Sequence, residues 1–75
     1  MIIKHATRLV YNDYTKDTLD KYTIDDVDKA YELFNKLCLE KPNIRFKKGL
    51  EKVSVIIQIL DENKIIDNFS QTKIY

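Results

Sequence analysis

A single amphipathic helix, predicted over Thr23 to Lys41, constrains the fold of this chain more than any other segment. Thr23 is a favourable cap residue, and Asp26 follows three positions later, close to the capping-box pattern. Pro42 cannot continue the helix, because it lacks the backbone N–H that the next turn needs. One side of this helix is apolar and is expected to face a core. The apolar stripe consists of Ile24, Val27, Ala30, Tyr31, Phe34, Leu37 and Cys38.

Segments with strand character lie on both sides of the helix. Residues 2–11 contain β-branched Ile, Thr and Val among polar residues, which predicts a strand. Residues 52–60 are the strongest strand, with Val53, Val55, Ile57 and Ile59 on one side. Residues 61–64 are predicted to form a hairpin loop, from which the chain returns through residues 65–69 and on toward Tyr75.

The remaining segments are less regular. Residues 12–22 are polar and turn-rich, so a long connection is expected there, with at most a short strand at 18–21. Residues 44–48 are interpreted as a short strand. Gly49 is the only glycine and therefore the residue best suited to a positive φ.

Together these elements predict one α+β domain, residues 1–75. Its architecture is a three- to four-stranded, mainly antiparallel sheet with one helix on one face, in the order strand, helix, C-terminal hairpin. One helix covers only one face of a sheet, so the other face, which carries Ile56 and Leu60, is expected to stay open. A contiguous apolar area there would indicate a partner or a homodimer, whereas scattered apolar residues would be ordinary surface.

The sequence contains no catalytic constellation. One glycine excludes a Gly-rich phosphate loop, and one Cys with one His does not suffice for a zinc site without two carboxylates. We therefore expect no catalytic residues, no metal and no cofactor. Cys38 is interpreted as a packed thiol, and His5 as a structural or exposed imidazole. The lone cysteine, the absence of a signal peptide and the lack of a membrane-length apolar run predict a cytoplasmic protein without a membrane partner.

Charge is unevenly distributed along the chain, although the formal net charge is only +1. Residues 11–32 are mainly acidic, and residues 33–60 are mainly basic. The acidic segment could meet a basic protein surface or imitate phosphates, and the alternative is a solvated loop with helix N-terminal acids. The candidate contact residues in this segment are Asp13, Tyr14, Asp17, Asp20, Tyr22, Asp25 and Asp28.

The basic segment contains a cluster of the kind that contacts phosphates and stacks on bases. The cluster consists of Arg45, Phe46, Lys47, Lys48 and Lys52. No ribonucleoprotein, helix-turn-helix or zinc-finger pattern accompanies it. Nucleic-acid binding through these residues is the alternative to a protein partner.

The chain is rich in Ile, Lys, Asn, Tyr and Phe, whose codons are AT-rich, and poor in Gly and Pro. This composition is typical of a low-GC bacterium or one of its phages. In size, composition and lack of catalytic motifs the whole chain resembles the small inhibitors that phages and mobile elements encode against host defences, anti-CRISPR proteins among them. The resemblance is of general character, without a motif, so no residue role follows from it. It implies a non-enzymatic protein that occludes the surface of a host protein or nucleoprotein, through the acidic segment or the Ile56/Leu60 sheet face.

Overall fold

The computed structural model describes residues 1–75 and contains four strands and one helix. The elements are β1 (Ile2–Tyr11), β2 (Thr15–Thr23), α1 (Val27–Leu39), β3 (Leu50–Asp61) and β4 (Lys64–Ile74). The strands form one antiparallel sheet in the order β2-β1-β3-β4, and α1 packs on the central strands β1 and β3. The predicted fold class, an antiparallel sheet with one helix on one face, is confirmed.

The core lies between α1 and the inner face of the sheet. Alternate residues of β3 are buried there, as the sequence pattern predicted: Val53, Val55, Ile57 and Ile59. The other buried residues are Ile3, Leu9, Tyr11 and Leu50 from the strands and Ala30, Phe34 and Leu37 from the helix. Ile3, Ile57 and Ile59 are the largest fully buried side chains. Central strands covered by the helix therefore supply most of the core.

The segment predicted as a long connection is largely a strand. β2 pairs with β1 over its full length, from Thr15 opposite Val10 to Thr23 opposite Ile2. Only Tyr22 of β2 is even half-buried. An edge strand beyond the cover of the helix can keep polar side chains on both faces, so its sequence lacks the apolar alternation of a half-buried strand. The short strand allowed at 18–21 lies within β2, but β2 extends over residues 15–23, so the prediction of a long connection was wrong beyond the turn at residues 12–14.

The helix begins later than predicted. Asp26 is the N-cap, and its Oδ1 accepts a hydrogen bond from the Lys29 N–H at 3.1 Å. Thr23, the predicted cap, instead ends β2. At the other end, the Glu40 N–H donates to the carbonyls of Lys36 and Leu37 as the helix stops. Thr23 is thus part of the sheet, and Asp26 accepts the hydrogen bond from a free N–H group of the first helical turn.

The apolar stripe of α1 faces the sheet with one exception. Ala30, Phe34 and Leu37 are buried, and Tyr31 and Cys38 are half-buried against the core. Val27 was expected in the stripe, but it is 53% exposed. It is the first residue of the helix, and buried helical packing starts only at Ala30.

The connection from α1 to β3 contains no strand, contrary to the interpretation of residues 44–48. Both edges of β3 are taken by β1 and β4, and the segment pairs with neither of the free sheet edges, β2 and β4. It ends in a tight turn in which the Leu50 N–H donates to the Lys47 carbonyl at 3.1 Å. Gly49 adopts a φ of +78° there, as its lack of a Cβ permits.

The C-terminal hairpin lies where it was predicted, with a shorter loop. Glu62 and Asn63 form its two-residue tip, with φ of 49° and 66°. Two successive positive φ values are the mark of a type I′ turn, whose twist matches that of the flanking strands. A register shift between Ile59 and Leu60 leaves Ile66 as the extra residue of a bulge in β4.

Candidate binding surfaces

The titratable side chains do not assemble into a reactive cluster. No group of three or more His, Cys, Asp and Glu residues is placed to hold a metal ion. Cys38 is half-buried, and desolvation, with a smaller contribution from the charge of Asp67, raises the pKa of its thiol. A raised pKa keeps the sulfur protonated at neutral pH, where a thiol is a poor nucleophile. Half-buried His5 lies in register between Asp20 on β2 and Ile57 on β3.

The acidic candidates are spread over the molecule. Asp13 and Tyr14 lie in the β1–β2 turn, whereas Asp25 and Asp28 flank the helix cap beyond the other end of β2. The nine residues of β2 separate these groups by roughly 30 Å, at about 3.4 Å per residue. The structure therefore does not bring the predicted acidic residues into one contact surface.

Within β2 the candidates alternate between the two faces of the sheet. Asp20 and Tyr22 pair with His5 and Ile3 on the helix side, and Asp17 lies on the outer face, because successive side chains of a strand point to opposite sides. Tyr22 is half-buried against the core. These side chains cannot all meet one flat partner surface.

Asp17 is already paired within the protein. Arg8, opposite it on β1, donates two hydrogen bonds to its carboxylate, from Nε to Oδ1 at 2.8 Å and from an Nη to Oδ2 at 3.1 Å. This hydrogen bonding lowers the pKa of Asp17 and raises that of Arg8. The pair is therefore intact at neutral pH and breaks only as the pH falls through the lowered pKa of Asp17. Since both side chains are exposed, its stabilising effect is small.

The basic candidates, in contrast, gather at one end of the sheet. The connection before β3 contains Arg45, Phe46, Lys47 and Lys48. Lys52 is the third residue of β3. All four charged side chains are exposed, and Phe46 is 70% exposed. An aromatic ring this exposed is free to stack on a ligand.

Three hydrogen bonds attach this connection to the end of β1 and to β3. The Tyr11 hydroxyl donates to the Phe46 carbonyl at 2.9 Å. The Asn12 N–H donates to the Gly49 carbonyl, also at 2.9 Å, and the Leu50 N–H closes the turn described above. The basic residues are thus carried by a loop whose backbone is fixed to the sheet at several points.

The sheet register brings to this end three residues that lie outside the basic segment of the sequence. Tyr14 stacks on Tyr11 with ring centroids 4.5 Å apart and is itself 52% exposed. Lys73 lies 4.9 Å from the ring centroid of Tyr75, and the Tyr75 N–H donates to the Glu51 carbonyl at 2.9 Å. These residues lie far apart in sequence, and only strand pairing brings them to the same end.

A groove runs along this end, between the α1–β3 connection and the inner side of β4. Lys41, Lys47 and Lys73 line it together with Tyr75, and the edges of Val53 and Val55 lie at its apolar part. We call this whole region the basic end. It comprises Lys41, Arg45, Lys47, Lys48, Lys52 and Lys73 with the aromatic residues Tyr14, Phe46 and Tyr75.

The opposite end of the molecule is acidic. The helix N-terminus places Asp25, Asp26 and Asp28 there, and the β3–β4 turn adds Asp61 and Glu62. Three carboxylates, Asp13, Glu40 and Glu51, lie at the basic end, where the lysines and the arginine outnumber them. Lys29 and Lys64 lie among the acids of the opposite end, so the charge separation between the two ends is partial.

The outer sheet face carries apolar residues in two separate rows. Leu19, Ala6 and Ile56 are cross-strand neighbours, and a shallow depression lies over the small Ala6 side chain. Leu60 lies at the end of the face between Ile2 and Ile65. A polar row separates the two sets: Lys21, Lys4, Gln58 and Asn68. Ile56 and Leu60 thus share the open face without forming one contiguous patch.

No protein-family model, characterised protein or solved structure matches this chain. The single helix has neither the length nor the apolar composition needed to cross a lipid bilayer. Arguments about function therefore depend on the surfaces described above.

Proposed function

We propose that this protein is a non-enzymatic domain that binds single-stranded nucleic acid through its basic end. The observation that carries the proposal is the presence of six basic side chains and three exposed aromatic rings at one end of the sheet. Lys41, Lys47 and Lys73 line the groove on the inner side, and Lys52 lies on the outer face. Proteins that bind single strands without sequence preference combine these two features, since cations follow the phosphates and rings stack on the bases.

The arrangement suits an unpaired strand better than a duplex. Phe46 and Tyr14 expose their rings, and stacking on them requires bases that are free of a partner strand. Arg45 and Lys47 flank Phe46 in sequence, so a phosphate and its neighbouring base can be contacted together. The acidic end would remain directed away from the nucleic acid.

The affinity should be modest and strongly dependent on salt. Glu40, Glu51 and Asp13 offset part of the positive charge at this end, and the formal net charge of the chain is only +1. Each phosphate that the basic cluster neutralises releases counterions into solution. This release is less favourable at high salt, so the affinity falls as the salt concentration rises. A reducing cytoplasm is the compartment we propose, because the single cysteine is free.

The test is anisotropy titration of a fluorescein-labelled oligothymidylate at several salt concentrations. Replacing Lys47, Lys48 and Lys52 with Gln should flatten the slope of log affinity against log salt by about 0.7 per lost phosphate contact. Phe46→Ala should weaken binding by roughly 1–3 kcal/mol while leaving that slope nearly unchanged.

The matched control removes negative charges instead of positive ones. Asp20 and Asp25 replaced with Asn should leave the lysine-dependent slope in place, because these residues lie outside the basic end. Asp17 is kept in this control, since its replacement would free the Arg8 guanidinium. The proposal fails if the wild-type protein does not bind the oligonucleotide at low salt, or if the lysine variant binds it as the wild type does.

A protein partner is the second candidate, and the Leu19–Ala6–Ile56 row is the observation that favours it. Leu19 is 67% exposed and Ile56 is 43% exposed, on either side of the depression over Ala6. A host protein or nucleoprotein could be occluded through this row, as in the small phage-encoded inhibitors. Capture of one host protein by the wild type but not by Leu19→Lys/Ile56→Lys would favour this function over the first.

A further inference from the structure

β4 is an unusually open edge of the sheet. Its 11 residues pair with β3 on one side only, and all of them except Phe69 are exposed. Between Asp67 and Ile74 the strand contains no proline, and its single bulge lies before that stretch, at Ile66. A long, regular strand with unpaired backbone groups is a template for another strand.

The hydrogen bonds indicate which backbone groups of β4 are free. The Tyr75 N–H donates to the Glu51 carbonyl of β3, so odd-numbered residues from Asp67 onward direct their backbone groups toward β3. The even-numbered residues Asn68, Ser70 and Thr72 then direct theirs away from the sheet. In agreement, the Asn68 N–H is bonded to the Asp67 carboxylate at 2.8 Å and not to a strand.

We propose that two copies of this chain pair through their β4 edges, antiparallel and about a twofold axis at Ser70. In this register the free backbone groups of Ser70 meet those of the other Ser70, and Asn68 meets Thr72. The same register places Asp67 of each copy opposite Lys73 of the other. Opposite charges directly across an antiparallel pair stabilise it, and twofold symmetry supplies the contact twice.

The register also sets the distance between the two charged residues. Asp67 and Lys73 form a non-hydrogen-bonded pair in this register, with Cα atoms about 4.5 Å apart and side chains close together. In the dimer the Asp67 carboxylate would contact the Lys73 ammonium of the second copy and no longer accept from the Asn68 N–H. The Asn68 N–H would instead donate to the Thr72 carbonyl of the second copy.

The other free edge is better protected against pairing. β2 carries four charges among its nine residues, Lys16, Asp17, Asp20 and Lys21, and charged side chains on an edge oppose addition of a strand. Asp17 is, in addition, engaged by Arg8. The β4 edge has only Asp67 and Lys73 over its regular stretch, and these two complement each other in a second copy.

Sedimentation velocity over a concentration series, without nucleic acid, tests this dimer. Asp67→Lys and Lys73→Asp should each weaken it about tenfold, since each variant alone opposes like charges at both symmetry-related contacts. Mixing the two variants should restore association as a heterodimer, because every contact between them joins opposite charges.

Ser70→Pro provides an independent variant. It removes an N–H that points away from β3, so the monomer should keep its circular dichroism spectrum while the dimer is lost. A wild type that stays monomeric at the highest attainable concentration overturns the inference. So does a dimer that survives Ser70→Pro and dissociates with Ile56→Lys, which would assign association to the outer face.

Discussion

At the residue scale, the position of Phe34 shows how one side chain ties the helix to the sheet. Phe34 is 5% exposed, at the centre of the apolar stripe between Ala30 and Leu37. Val27 belongs to the same periodic pattern but lies at the start of α1, where over half of its surface meets solvent. Periodicity alone therefore assigns both to the core, and only one of them is buried.

Phe34→Ala should lower the free energy of unfolding by about 3–5 kcal/mol, because it removes a buried ring and leaves a cavity. Val27→Ala is the matched control, and surface changes of this kind usually stay within about 0.5 kcal/mol. Urea denaturation followed by circular dichroism measures both. Equal losses for the two variants would mean that the helix packs through a different face.

At the element scale, the start of α1 is set by competition between two uses of the same residues. Thr23 could cap a helix, yet its backbone continues the β1–β2 pairing opposite Ile2. The chain then crosses to the helix layer through Ile24, whose N–H donates to the Met1 carbonyl at 2.9 Å. Asp25 and Asp26 both follow with side chains that suit a cap, and Asp26, directly before the first residue of α1, becomes the cap.

Asp26→Ala should therefore cost about 1 kcal/mol of stability, through loss of the bond to the Lys29 N–H and of a carboxylate near the helix N-terminus. Thr23→Ala removes the cap that the sequence pattern favoured, and it should cost clearly less. Thermal or urea unfolding of the two variants compares them directly. A larger loss for Thr23→Ala would place the true cap at Thr23.

At the scale of the whole molecule, α1 and the sheet depend on each other. A helix of 13 residues is marginal on its own in water, and α1, with Ile44 of the connection that follows it, covers the inner face of β3. With 11 buried residues among 75, the core is small, and a domain of this size has little stability to spare.

We expect the molecule to unfold in one cooperative step. Helical circular dichroism and tyrosine fluorescence should change at the same urea concentration, since neither layer persists without the other. If the β4-edge dimer forms, the midpoint should also rise with protein concentration, by mass action. Separate transitions for the two signals would contradict the mutual dependence of helix and sheet.

The candidate site was only partly visible in the sequence. Arg45 to Lys48 form a continuous run, and Lys52 is close by, so the basic cluster could be found by inspection. Lys73 and Tyr75 could not, because they reach the basic end only through the pairing of β4 with β3. The acidic candidates show the opposite behaviour, because they are close in sequence and far apart in the fold. Side chains along β2 alternate between the two faces of the sheet, and the length of β2 separates the candidates at its two ends.

The sequence by itself determined the elements whose pattern reflects burial: β1, the strong strand β3 and the buried stripe of α1. The apolar periodicity of these three is the direct consequence of facing one core. The C-terminal hairpin was indicated instead by the polar turn residues 61–64 after β3. Only the tertiary structure decided that residues 15–23 form β2, that Asp26 caps the helix and that the charges separate partially to opposite ends. An exposed edge strand and a surface charge distribution bury almost nothing, so they leave no periodic signal and depend on which segments the folded sheet brings together.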